Sequence, residues 1–154
     1  MTPSVRRAVP ADAEVVGRLL HDFNTEFETA TPSAAELTGR FATLLARDDV
    51  VVLLSGPAGG ETGFAFLTVR PTPYYDGTLA QLEELYVVPD LRDGGIGTAL
   101  LTTAVEEVQR LGAEEVHINV DEVDTDTRRF YERHGWVNIE PGADYRMLCY
   151  VREL

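Results

Sequence analysis

The chain has 154 residues, 44% of them hydrophobic and 25% charged, with a formal net charge of −13. That length suits one domain with a substantial core, and the negative charge disfavours nucleic acid while suiting a cationic partner. No apolar run is long enough to span a membrane, and residues 1–9, with Arg6 and Arg7, lack the apolar core of a signal peptide. No nucleic-acid partner, no membrane partner and a cytoplasmic location are therefore expected, for a single domain over residues 1–154.

In chain order, Ser4 to Val9 reads as a short strand. Pro10-Ala11-Asp12 then opens a helix with apolar positions at Val15, Val16, Leu19, Leu20 and Phe23. Phe23 to Glu28 closes it in a mixed aromatic and acidic segment. Ser33 and Glu36 have the spacing of a capping box and start a second helix with Leu37, Phe41, Leu44 and Leu45 on one face. Val50 to Leu54 is a continuous apolar strand, followed by a turn over residues 55–60 and a strand from Thr62 to Val69. A loop containing Tyr74, Tyr75 and Asp76 precedes a strand from Thr78 to Val88. Ile96, Leu100, Ala104 and Leu111 mark the apolar face of the next helix, which Gly112 caps. Glu115 to Val120 reads as a strand, Asp121 to Asp126 as an acidic loop and Thr127 to His134 as a helix stopped by Gly135. Val137 to Ile139 and Tyr145 to Val151 read as two last strands. The order β-α-α-β-β-β-α-β-α-β-β predicts an α/β fold with helices on both faces of a mixed sheet. Cys149, the single cysteine, is expected to be a small core residue of the last strand. His21, His117 and His134 form no metal-ligand spacing, so no metal is expected.

The stretch from Gln81 to Leu101 carries the chemistry. A strand ends at Pro89, a glycine-rich turn follows, and a helix begins near Ile96. Such a junction cradles anions, because unpaired amides point outward and the helix dipole favours negative charge. Arg92 adds a positive fork suited to phosphate. The dinucleotide fingerprint fits poorly, since Leu100 stands where a small residue belongs, and a Walker loop is excluded because the chain has no lysine. Arg-x-x-Gly-x-Gly does fit, filled by Arg92, Gly95 and Gly97.

This loop resembles the acetyl-CoA loop of the GNAT superfamily of N-acetyltransferases, and the element order resembles the GNAT fold. A second segment, Asp124 to Trp136, resembles the superfamily pattern Asn-x-x-Ala-x-x-x-Tyr-Glu-Lys-x-Gly-Phe. Tyr131, Glu132, Gly135 and Trp136 agree with it, while Asp124 and Thr127 depart. The resemblance implies a mixed, mostly antiparallel sheet splayed at the acetyl-CoA site. It implies pyrophosphate on the amides of Arg92, Asp93, Gly94, Gly95, Ile96, Gly97 and Thr98. Leu85, Tyr86 and Val87 would then hold the pantetheine arm and acetyl carbonyl of coenzyme A, with Asp124 and Arg128 completing the cofactor set. Asp93 and Asp124 place negative charge or lost donors near that site.

Acetyl transfer needs a base for the amine and a proton for the leaving thiolate. By resemblance Tyr131 supplies that proton. Glu83 and Glu84 are consecutive on a strand, so regular alternation sends them to opposite faces and only one can serve as base. The segment around them is especially similar to that of diamine and thialysine acetyltransferases, which favours Glu83. Phe23, Asn24, Phe27 and Glu28, together with Tyr74, Tyr75 and Asp76, are expected to wall a site for a small cationic amine. Polyamine, thialysine-like amino acid, aminoglycoside and peptide N-terminus stay open as acceptors. So do a non-catalytic acyl-CoA sensor and a scaffold without cofactor. A homodimer through residues 137–151 is expected by family analogy.

Overall fold

Six consecutive buried residues, Val50–Ser55, form the strand on which the sheet is built. A strand apolar on both sides must be covered on both faces. In the computed structural model, which describes residues 2–154, this strand is β2. It pairs antiparallel with β1 (Val5–Arg7) and with β3 (Gly63–Pro71), and β3 pairs antiparallel with β4 (Thr78–Val87). The sheet order is β1-β2-β3-β4-β5, where β5 is Ala113–Ile118.

Alternation sorts the core into two layers. Val50, Val52, Leu54, Phe64 and Tyr86 join one cluster with Val16, Leu19 and Leu20 of α1 (Ala13–Glu26) and Leu37 and Phe41 of α2 (Ala34–Leu44). The intervening residues Val51, Leu53, Ala65, Leu67 and Leu82 are also buried and face the opposite side. That side is covered by α3 (Ile96–Arg110) through Leu100, Leu101, Ala104 and Val108. Helices on both faces are thus present. The apolar stripe of α3 differs at one position from the sequence reading, since Leu111 lies at the C-cap and is exposed. The capping box at α2 is formed: the Ser33 amide donates to Glu36 Oε2 at 2.8 Å and the Glu36 amide to Ser33 Oγ at 3.1 Å.

Because α3 connects β4 to its neighbour β5, the two strands run parallel, and their starts are tied together. The Thr78 amide donates to the Gly112 carbonyl at 2.8 Å, and Thr78 Oγ1 donates to the Leu111 carbonyl. Gly77 packs against the same carbonyl so closely that a Cβ there would lie 2.1 Å from the Gly112 oxygen.

The chain forms two compact units, one ending at His117 and the other running from Ile118 to Leu154. In the second unit α4 (Thr125–Arg133) is followed by the turn at Gly135. The two strands expected at Val137 to Ile139 and Tyr145 to Val151 do not form. One backbone bond, from the Met147 amide to the Asn138 carbonyl, crosses a turn closed by the Ala143 amide on the Glu140 carbonyl. A single rung does not make a ladder. Val137, Tyr145, Leu148, Tyr150 and Val151 are all exposed, and so is Cys149, which is therefore not a core residue.

Gly77→Ala is expected to destabilise the fold by roughly 1–3 kcal/mol through forced separation of β4 and β5, checked by urea denaturation.

Candidate functional site

One irregularity in β4 shapes the site. Phe66 pairs with Glu84, but the next residue, Leu67, pairs with Leu82, which leaves Glu83 as an extra residue without a partner. This is a β-bulge, and it breaks the alternation that should send Glu83 and Glu84 to opposite faces. Glu84 lies opposite Phe66, which packs on the α1–α2 cluster. Glu83 Oε1 accepts from Thr68 Oγ1 at 2.6 Å, and Thr68 lies opposite Val50 of the same cluster. Both carboxylates are thus turned to the α1–α2 face, contrary to the regular-strand expectation.

Their environments differ. Glu83 is exposed, whereas Glu84 is half-buried. Burial first, and the neighbouring Glu83 charge second, push the Glu84 carboxyl up from an ordinary 4.5 to about 7. A carboxyl poised there can take a proton near neutrality.

Beyond the bulge, β4 returns to a regular ladder. The Val88 amide donates to the Thr62 carbonyl at 2.9 Å, so by alternation the Tyr86 amide also points to β3. The Leu85 and Val87 amides therefore face away from β3, toward the β5 side. Of the amides of Leu85, Tyr86 and Val87, two thus face the β5 side and that of Tyr86 faces β3. The Tyr86 ring stacks on Phe23 with centroids 5.0 Å apart.

The strand leads through a 3₁₀ turn, Pro89–Leu91, into the glycine loop and α3. Asp93 has φ 61° and Gly95 φ 89°, both left-handed, and Gly95 serves as the N-cap of α3. No side chain caps this helix and its first turn holds no acidic residue. By contrast α2 is capped by Ser33, and Asp124 caps α4. The amides at Ile96 and Gly97 thus open a helix with no side-chain cap and no acidic residue within its first turn. This backbone suits an anion.

The side chain of Arg92 does something else. Its two terminal nitrogens donate to Glu26 at 2.7 and 2.8 Å, and Nε donates to the Val87 carbonyl at 2.9 Å. The expected phosphate fork is therefore engaged with the last residue of α1. The pair, with hydrogen bonding as the leading cause, holds the guanidinium above its usual range. Glu26 was not singled out in the sequence, although it lies in the aromatic and acidic segment that closes α1.

The expected acceptor wall separates into two places. Phe23 and Phe27 meet edge to face at 5.3 Å beside Tyr86, with Glu28 at φ 54° next to them. Asn24 reaches back to Thr31. Tyr74, Tyr75 and Asp76 instead line an open hollow of about 370 Å³ with Pro73 and Glu114, at the start of β4. Tyr75 is anchored there by its hydroxyl on Glu115, which raises the Tyr75 pKa and lowers that of Glu115. From Thr78 to Glu84 the strand rises roughly 20 Å. The loop therefore does not join Phe23 and Phe27.

In the second unit, Tyr131 is buried, with ring contacts to Phe130 at 5.2 Å and Trp136 at 5.4 Å. Asp124 accepts the Thr127 amide at 3.2 Å, which gives it the work of a helix cap rather than the donor role of an asparagine. Arg128 donates to the Glu122 carbonyl at 3.0 Å.

With this geometry in view, comparison with known proteins is decisive for the family. Residues 16–136 match the model of the Acetyltransferase (GNAT) family. The chain belongs to the GNAT family. It is 36% identical over 78 residues to aminoglycoside N(6')-acetyltransferase type 1 of Klebsiella aerogenes, which covers 49% of this chain and 51% of that protein. It is 30% identical over 96 residues to aminoalkylphosphonate N-acetyltransferase of Salmonella typhimurium, covering 62% of each. The chain thus spans less than two thirds of the length of these two curated relatives. A solved structure from Arthrobacter sp. FB24, provisionally named an acetyltransferase, is 49% identical with a TM-score of 0.91, covering 100% of this chain and 96% of the other. The fold is also shared, at 22% identity and a TM-score of 0.78, with an aminoglycoside acetyltransferase from an uncultured soil sample solved with sisomicin, over 99% of this chain and 96% of that one. Among the described residues, no helix is long and apolar enough to cross a membrane.

The raised Glu84 pKa has a consequence for stability. Glu84 holds its proton more tightly when folded, so its contribution is present below pH 4.5 and is lost as pH rises through about 7. Glu84→Gln is expected to leave Tm unchanged near pH 4 and to raise it at pH 8, measured by thermal melts across that range.

Proposed function

We propose that this chain is an acetyl-CoA-dependent N-acetyltransferase, a single GNAT domain that moves an acetyl group directly to a primary amine of a small cationic acceptor. The observation that carries this reading is the alignment, on one strand, of a half-buried Glu84 with the outward amides of Leu85 and Val87, ending in the uncapped start of α3. The residues fit the cofactor: the helix N-terminus and glycine loop suit its phosphates, and the strand amides suit its pantetheine arm. When bound, acetyl-CoA supplies the acetyl group as an activated thioester.

Glu84 is the base in this proposal. A carboxyl titrating near 7 can accept the proton of an incoming ammonium and leave a neutral, nucleophilic nitrogen. The Leu85 and Val87 amides can donate to a carbonyl oxygen as it gains negative charge. Glu83, exposed and on the same face, holds negative charge beside Glu84 and favours an acceptor with a second positive centre. Acetylation of aminoglycoside and aminoalkylphosphonate amines by the named relatives supports a small amine as acceptor. For the leaving sulfur, the family motif points to Tyr131 as proton donor. The exposed apolar residues of 137–151 support a homodimer.

The test is acetyl-CoA turnover, followed by thiol release, over a panel of polyamines, amino acids, aminoglycosides and peptides. Release with one amine class is expected, with an acidic limb near pH 7. Glu84→Gln should lower kcat by about 10²- to 10⁴-fold and remove that limb, whereas Glu83→Gln should chiefly raise KM for acceptors carrying two amines. A Glu83→Gln variant that loses the limb while Glu84→Gln keeps it would reverse the two roles. For the dimer, light scattering should give twice the chain mass, falling to one chain in Leu148→Glu; a monomeric wild type overturns that part.

A further inference from the structure

Arg92 lies in the glycine loop, yet its side chain is spent on α1. Besides the two bonds to Glu26 and the bond to the Val87 carbonyl, its guanidinium lies 5.6 Å from the Tyr86 ring centre and 5.9 Å from that of Phe27. Glu26 is the last residue of α1, and Phe27 is its C-cap, with its amide on the Phe23 carbonyl. The last turn of α1 has no basic residue of its own. A carboxylate at a helix C-terminus is disfavoured by the dipole, so Arg92 supplies the missing cation from another element. The Glu28 amide on the Thr25 carbonyl and the Thr29 amide on the Asn24 carbonyl complete the chain reversal at that end. One side chain thus joins the loop before α3 to the turn that carries Phe23 and Phe27.

We infer that Arg92 is a positioning residue which couples the cofactor loop to the aromatic turn at the end of α1, so that filling the loop orders the acceptor wall. The inference rests on the cofactor reading of that loop given above. The physical basis is geometric: a guanidinium bound at three nitrogens cannot shift without moving either the loop or Glu26. Ordering the loop on phosphate removes motion from Arg92, and Arg92 passes that restraint to Glu26 and Phe27. Coupling is reciprocal, so an occupied acceptor wall strengthens cofactor binding by the same factor.

The test needs coenzyme A alone. Hydrogen exchange is followed at the amides of Phe27, Glu28 and Thr29 with and without it, in the wild type, Arg92→Lys, Glu26→Gln and the double variant, beside calorimetric affinities and melting temperatures. Coenzyme A is expected to slow exchange at these amides in the wild type but not in either single variant. Each single variant should bind coenzyme A roughly 3- to 10-fold more weakly, and the double variant no more weakly than the worse single one. Lysine lacks the fork, and glutamine lacks the charge while keeping the shape, so an effect of Glu26→Gln is not a packing defect. Binding to the wild type without protection at residues 27–29, or protection that persists in both single variants, overturns the coupling. Tighter binding in Glu26→Gln also overturns it, because Arg92 would then be a phosphate ligand held off by Glu26. Absence of any binding to the wild type overturns the cofactor reading together with this inference.

Discussion

The ladder between β3 and β4 is interrupted once, where Leu67 passes over Glu83 to pair with Leu82. The placement of both strand carboxylates depends on that extra residue. Without it, Glu83 and Glu84 would point to opposite faces, and one would have to enter the layer formed by Leu67, Leu82 and α3. With it, both carboxylates stand on the α1–α2 side while Leu82 still fills the opposite layer. A bulge also strengthens local twist, which redirects the strand end and the glycine loop that follows. The bulge serves the core and the site at once.

Charge is used differently at the two ends of β4. Near its end, Glu84 is deprived of water and of an opposite charge, and so becomes basic. A few residues on, Arg92 and Glu26 neutralise each other, which leaves backbone amides as the positive element of the loop. Near its start, Tyr75, Glu115 and His117 are joined in a surface chain of hydrogen bonds. The strong net negative charge therefore tells little by itself about where a cationic group would rest. The local pairing decides it.

Much of this was legible in the sequence because the signals were periodic or local. The all-apolar run at residues 50–54, the capping box at Ser33 and Glu36, and the glycine loop before Ile96 each specify their conformation within a few residues. The bulge at Glu83 was not legible, since Leu-Glu-Glu-Leu reads as an ordinary strand and its pairing with β3 involves residues distant in the chain. Nor was the fate of Arg92, whose partner lies 66 residues earlier in the chain. The loop at Tyr74 to Asp76 is followed by Gly77, whose close approach to the Gly112 carbonyl composition does not show. Residues 137–151 have strand-like composition, but a strand is completed by its neighbour, and only one rung forms.

The contact between Gly77 and the Gly112 carbonyl also has a mechanical meaning. It fastens the starts of two parallel strands, so any opening between them turns about that point as a hinge pin. A strand of ten residues is a lever of roughly 33 Å, and a rotation of about 5° at the pin displaces the far end by about 3 Å. The spacing of the two strands at their far ends is thus governed by two backbones at their starts. A side chain there would act as a wedge, and its effect would be felt a strand's length away from where it was inserted.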